Sequence, residues 1–87
     1  SSGGDVLYDN LITTLTNPRS NVGDIMVIAK KIAPNPEIYP ILLDAVAHFG
    51  LADLYPMVTH AIADVNRIYL EPEIAIFKII NEIKKCL

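Results

Sequence analysis

The sequence predicts an all-α fold, a five-helix bundle, and three observations predict it. Apolar residues recur at three- and four-residue steps through most of the 87 residues. The periodic stretches are punctuated by Asn-Pro, Ala-Pro and Glu-Pro steps of the kind that stop or start helices. No run alternates with period two and no hairpin signal is present. A chain of this length makes one domain, expected over residues 5–87 behind a flexible lead-in at 1–4. That lead-in, Ser1-Ser2-Gly3-Gly4, reads equally as the tail of a low-complexity region or as an expression scar.

Asp5 is suited to capping a first helix that runs to about Leu15. Leu7, Leu11 and Leu15 give it one apolar stripe, which Tyr8 and Ile12 widen. Its threonines are mediocre helix formers, so packing must hold it, and Asn17-Pro18 ends it. A second helix opens at Ser20-Asn21. Asn21 as cap and Asp24 three residues on form a variant of the capping box. Ile25, Ile28 and Ile32 are its stripe, flanked by Met26, Val27 and Ala29. Lys30 and Lys31 sit in its last turn, where cations suit the helix dipole, and Ala33-Pro34 stops it.

The organising stretch is Pro40–Val65, apolar on nearly every side, with Asp44, Asp53 and Asp64 as its only acidic or basic residues apart from two histidines. Such an element is covered on more than one face. A short turn over 36–39 leads into it, with the helix starting at Tyr39-Pro40. Gly50 interrupts or terminates it, and Pro56 forces a kink or restart, giving helices of roughly 40–55 and 57–67. Glu71-Pro72-Glu73 opens the last helix, with Pro at its first position. Ile76, Ile80, Ile83 and Leu87 make its stripe, broadened by Phe77, Ile79 and Cys86.

Composition bounds the function. Apolar residues make up 52% of the chain and the mean hydropathy is positive. A domain this small buries only about 60–65% of its unfolded surface. More apolar surface than a small monomer hides easily points to a homo-oligomer; a well-packed monomer is the plainer alternative. A net charge of −3 gives no basic surface for nucleic acid. No uninterrupted apolar run reaches ~18 residues, so no membrane span is expected. One cysteine, Cys86, cannot form an internal disulfide, and is either free or a link between chains.

Candidate chemistry is thin. Asp44 and His48 are four apart on one helix, as are His60 and Asp64, so each pair can meet on a helix face. A metal would need three or four convergent ligands, so the reading is side-chain pairing, with pH sensing as the sharper option. Arg19 and Arg67 are the arginines available as ion-pair partners. Cys86 lies in the Lys-rich end of a helix, without a visible base, and there is no Gly-rich phosphate loop. No enzyme activity, cofactor or small-molecule substrate is expected.

The order of these elements resembles the non-repetitive C-terminal domain of spider silk proteins (spidroins). The matching pieces are Asn35-Pro36, then Ile41-Leu42-Leu43-Asp44-Ala45-Val46, then Ile62-Ala63-Asp64-Val65-Asn66, and a final helix over Ile74–Leu87. The likeness spans almost the whole chain through apolar patterns and two dipeptides. It departs from the family in having no cysteine in Glu37–Pro40, where many such domains bridge two chains, so a bridge would fall at Cys86 instead. The chain is also richer in Ile and Lys than the common silk types, which suits the flagelliform kind.

The resemblance implies a parallel homodimer of five-helix chains with the last helix packed on the partner. Its implied role, in a secreted protein, is to keep a silk precursor soluble and to align chains for fibre formation. The expected interface is Ile76, Phe77, Ile79, Ile80 and Ile83 of the last helix, against Leu54, Met57 and Val58. The alternative is an intracellular helical adaptor whose apolar groove takes a partner helix.

Overall fold

A computed structural model describes residues 2–66 and 71–87. Five α-helices follow in order: α1 (Ser2–Thr16), α2 (Val22–Ile32), α3 (Ile38–His48), α4 (Tyr55–Asn66) and α5 (Pro72–Lys85). A 3-10 turn over Ala52–Leu54 leads into α4. No strand occurs among the described residues. The all-α expectation and its five helices hold.

The α2 start forms as the sequence requires. Asn21 is extended, its side-chain oxygen accepts from the Asp24 N–H at 3.1 Å, and the Asp24 carboxylate accepts from the Asn21 N–H at 2.9 Å. Two orphan donors are satisfied reciprocally. α5 starts with Glu71 in an extended conformation and Pro72 at its first position, as expected, though the Glu71 side chain makes no capping bond.

The apolar spine divides earlier than expected. α3 starts at Ile38, one residue before the predicted Tyr39, so Pro40 stands in its first turn, where an N–H has no helical partner to lose. It ends at His48, not near residue 55. Gly50 takes a left-handed φ of 68°. Its N–H then reaches Ala47 O at 3.1 Å, and the Leu51 N–H reaches Val46 O at 2.9 Å. That is a Schellman ending, with Leu51 folded back against the core. The chain restarts at Tyr55, with Pro56 second in α4, so Pro56 opens a helix and does not kink one. The other end of α4 was expected at residue 67, outside the described residues.

Two further boundaries differ. α1 begins at Ser2, so Asp5 falls in its first turn and is not its cap. α5 closes with i→i+3 bonds, from the Cys86 N–H to Ile83 O and from the Leu87 N–H to Lys84 O. This tightening swings the chain off the apolar stripe, leaving Leu87 55% exposed and Cys86 exposed, where both were expected on that stripe.

One core joins the helices. Leu11 and Leu15 of α1, Ile25, Ile28, Ala29 and Ile32 of α2, Leu42, Ala45 and Val46 of α3, and Ile76, Ile79, Ile80 and Ile83 of α5 are buried in it. α2 and α5 make the most extensive helix pair, and among the described residues α4 contributes one fully buried side chain, Val58. The radius of gyration is 11.8 Å. A compact chain of this length has about 12 Å. α5 is therefore closed back onto its own α2.

Candidate functional site

The expected interface residues divide into two classes. Ile76, Ile80, Ile83 and Val58 are wholly buried within the single chain, and Ile79 is 1% exposed. Any partner reaching them would have to take the place of an element of this chain. Phe77, Leu54 and Met57 are half-buried, packed on the core with part of each side chain open. Along α4, Ala61 and Ile62 share that condition. α4 is thus covered on one side, by α3 and α5.

Several large apolar side chains stand outside the expected set. Val22 (54% exposed) and Met26 (52%) on α2 and Ile74 (44%) on α5 are open to solvent. Met26, Ala29, Glu73, Ile74 and Phe77 line a cleft of about 110 Å³ along the α2–α5 seam. Met26 was expected on the flank of the α2 stripe, and the structure sets it beside Glu73, Ile74 and Phe77 of α5. Periodicity placed it on the flank, but which helix that flank meets is decided by packing alone.

The two His–Asp pairs do not form the pairings expected of them. His48 makes no hydrogen bond to Asp44; its ring lies edge-on to Tyr8 of α1, with centroids 6.5 Å apart, and to Phe49, at 4.8 Å. Burial, then the charges of Asp44 and Asp9, push the Tyr8 phenol above its usual value. Asp44 therefore acts on the tyrosine of the neighbouring helix. His60 and Asp64 are exposed and make no mutual hydrogen bond, but they line an open groove of about 420 Å³ between α4 and α5, with Lys78 on the opposite wall. Among the described residues no group of three His, Cys, Asp or Glu side chains is placed to hold a metal ion.

Arg19 stands exposed in the α1–α2 turn, where its backbone N–H donates to Asn17 Oδ1 at 2.9 Å. Arg67 lies outside the described residues, as do Tyr69 and Leu70. Lys84 and Lys85, both in the last turn of α5, have different partners. Lys85 pairs with Glu82 at 3.1 Å on the surface. Lys84 crosses to α1 and donates to Leu15 O at 3.0 Å and Asn17 O at 2.8 Å. No helix of the described residues is long and apolar enough to cross a membrane.

Compared with family models, curated proteins and solved structures, the chain matches none.

Proposed function

We propose that the chain is the homodimerisation and assembly-control domain of a secreted, silk-like structural protein, keeping its precursor soluble and aligning chains for fibre formation. The observation that carries this reading is the half-covered state of α4. Its apolar Met57, Ala61 and Ile62, with Leu54 just before it, pack on the core yet remain partly open. A second copy supplies the missing cover.

In the proposed dimer α5 packs on the partner chain, its stripe of Ile76, Ile79, Ile80 and Ile83 filling in the partner the place it fills here in its own chain. The exchange conserves the burial of those side chains, so it replaces one set of contacts by an equal set and adds the cover of α4. Cys86, exposed at the end of α5, is sterically open to bridging two chains.

Sedimentation equilibrium on the 9.6 kDa chain tests this. A mass twice the chain's supports the reading, and loss of that mass on Met57→Lys, with helicity retained, supports the α4 face. A single-chain mass at every concentration overturns it and turns attention to an adaptor with a foreign helical partner. A non-reducing gel then reads whether Cys86 links the chains.

A further inference from the structure

Four isoleucines carry α5 into the core: Ile76, Ile79, Ile80 and Ile83, each no more than 1% exposed. Their spacing of i, i+3, i+4 and i+7 makes one stripe. Apolar contact is non-directional, and side chains one turn apart on a helix lie one above the other. The stripe alone therefore leaves open where along its seat α5 stops. The residues on either side of it decide.

Four displacements bring a neighbouring set of side chains to the same four places. A shift of three residues one way puts Glu73 in the place of Ile76, and three the other way puts Glu82 in the place of Ile79. Each buries a carboxylate among apolar side chains. A shift of four that brings Pro72, Ala75, Ile76 and Ile79 to the four places sets proline and alanine where two isoleucines stood, and leaves cavities. The opposite shift of four, about 6 Å along the axis, brings Ile80, Ile83, Lys84 and Leu87. All but Lys84 are apolar and of core size. Ile79 would then take the place of Ala75, which lines the open groove of about 420 Å³ beside α4 and so has room for it. Leu87, 55% exposed in the observed register, would gain burial in the place of Ile83. Lys84 is the single member of that set that forbids the shift, because its ammonium would enter the place of the wholly buried Ile80.

In the observed register the same ammonium donates to Leu15 O at 3.0 Å and Asn17 O at 2.8 Å, at the end of α1. These bonds are directional, and a displacement of one turn breaks both. We propose that Lys84 is the positioning residue of α5: it holds the helix in one register through the α1 carbonyls and excludes the one neighbouring register that is otherwise apolar. The same logic applies whether the seat of α5 belongs to its own chain or to a partner's. The proposal therefore goes beyond the self-association reading and does not rest on it.

Nuclear magnetic resonance on the nitrogen- and methyl-labelled chain tests it. Lys84→Met makes the displaced set wholly apolar and removes both bonds, so the displaced register should gain at least ~tenfold in population. It is read as a second set of α5 resonances in which the Leu87 methyls are shielded from a soluble paramagnetic agent. The parent, Lys85→Met and Lys84→Arg, which keeps a charged donor, should each give one set. Adding Leu87→Lys to Lys84→Met should return the chain to one set, because the displaced register then carries an ammonium into the place of Ile83. Loss of the tether alone predicts no such rescue, since Leu87 is exposed and outside the core. A single set in Lys84→Met overturns the proposal, and so does a second set that persists in the double variant or appears in Lys84→Arg. The mass of the particle, one chain or two, enters none of these comparisons, so the dimer reading fails or holds separately.

Discussion

The Lys84 ammonium donates to the Leu15 carbonyl, 69 residues away in sequence, and ties the end of α5 to the end of α1. Leu15 O is one of the last carbonyls of α1, which have no partner within their own helix. Thr13 O is satisfied by the Asn17 N–H, and the Thr16 hydroxyl turns back to Ile12 O. Lys84 serves Leu15 and Asn17 together, placing a cation where the dipole of α1 favours one. The other side-chain hydrogen bonds of the described residues span no more than four residues. Lys84 is therefore their one long-range polar tether, on a helix otherwise held by isoleucines.

Lys84→Met keeps the aliphatic stem and removes both bonds. Charged hydrogen bonds are worth about 1.5–3 kcal/mol where well shielded. Lys84 is only half-buried, so a loss of about 1–2 kcal/mol is expected in urea unfolding. Lys85→Met, next to it but paired only across the surface, should change stability by less than about 0.5 kcal/mol. Equal effects of the two substitutions would remove the tether.

Gly50→Ala isolates a backbone cost. A Cβ at this position meets nothing within 4 Å, so no clash accompanies the substitution. The φ of 68° remains, and an L side chain there costs about 1 kcal/mol. In a domain of this size that lowers the melting temperature by about 4–8 °C. Gly50→Asn should recover part of the loss, because asparagine tolerates the left-handed region better. An unchanged Gly50→Ala melt would mean that the α3 ending rearranges.

What could be read from the sequence was what short-range chemistry decides. The Asn21–Asp24 box, Pro72 opening α5 and the Ile25–Ile28–Ile32 stripe each depend on residues within a turn or two of one another. Gly50 and Pro56 were both visible as breakers, but the chain carried no rule for ranking them. The Schellman bonds through Leu51 settled the matter for Gly50. Leu15 and Asn17 as partners of Lys84, and Tyr8 as a partner of His48, were hidden because they lie on α1 or in the turn after it, and no local pattern encodes which helix end meets which. Met26 and Ile74 show the same limit from the other side. Their apolar character is plain, yet their exposure follows from where α5 crosses α2.

Ile80 and Ile74 sit six residues apart on α5 and should respond oppositely. Ile80 is fully buried in the core that joins the helices, so Ile80→Ala leaves a cavity and costs about 2–5 kcal/mol. Ile80→Asp buries a carboxylate in an apolar core, and the chain should lose its helical circular dichroism at every concentration, not merely its partner. Ile74→Ala should stay within about 0.5 kcal/mol of the parent, as an exposed substitution does. Far-ultraviolet melts of the three variants give the comparison. A folded, monomeric Ile80→Asp would contradict the placement of α5 in the core.

Tyr8 and Tyr39 set an alkaline limit. Burial, reinforced by the charges of Asp44 and Asp9, raises the Tyr8 phenol above its usual value of 10.0, and burial alone raises Tyr39. The neutral phenol is the form the fold favours. In the unfolded chain each phenol releases its proton near pH 10, earlier than in the fold. Above that pH the native state binds more protons than the unfolded state, so stability falls as pH rises. The contribution is complete below pH 10 and disappears as pH climbs through the raised folded values. Lysines titrate nearby, so the informative quantity is the difference between the parent and the Tyr8→Phe/Tyr39→Phe chain. The double variant keeps both rings, including the edge contact of position 8 with His48, and should lose less stability than the parent between neutral pH and pH 11 in urea melts. Asp44→Asn should move the Tyr8 phenolate absorbance to lower pH while leaving Tyr39 in place. Identical alkaline profiles for parent and double variant would show that neither phenol is held neutral by the fold.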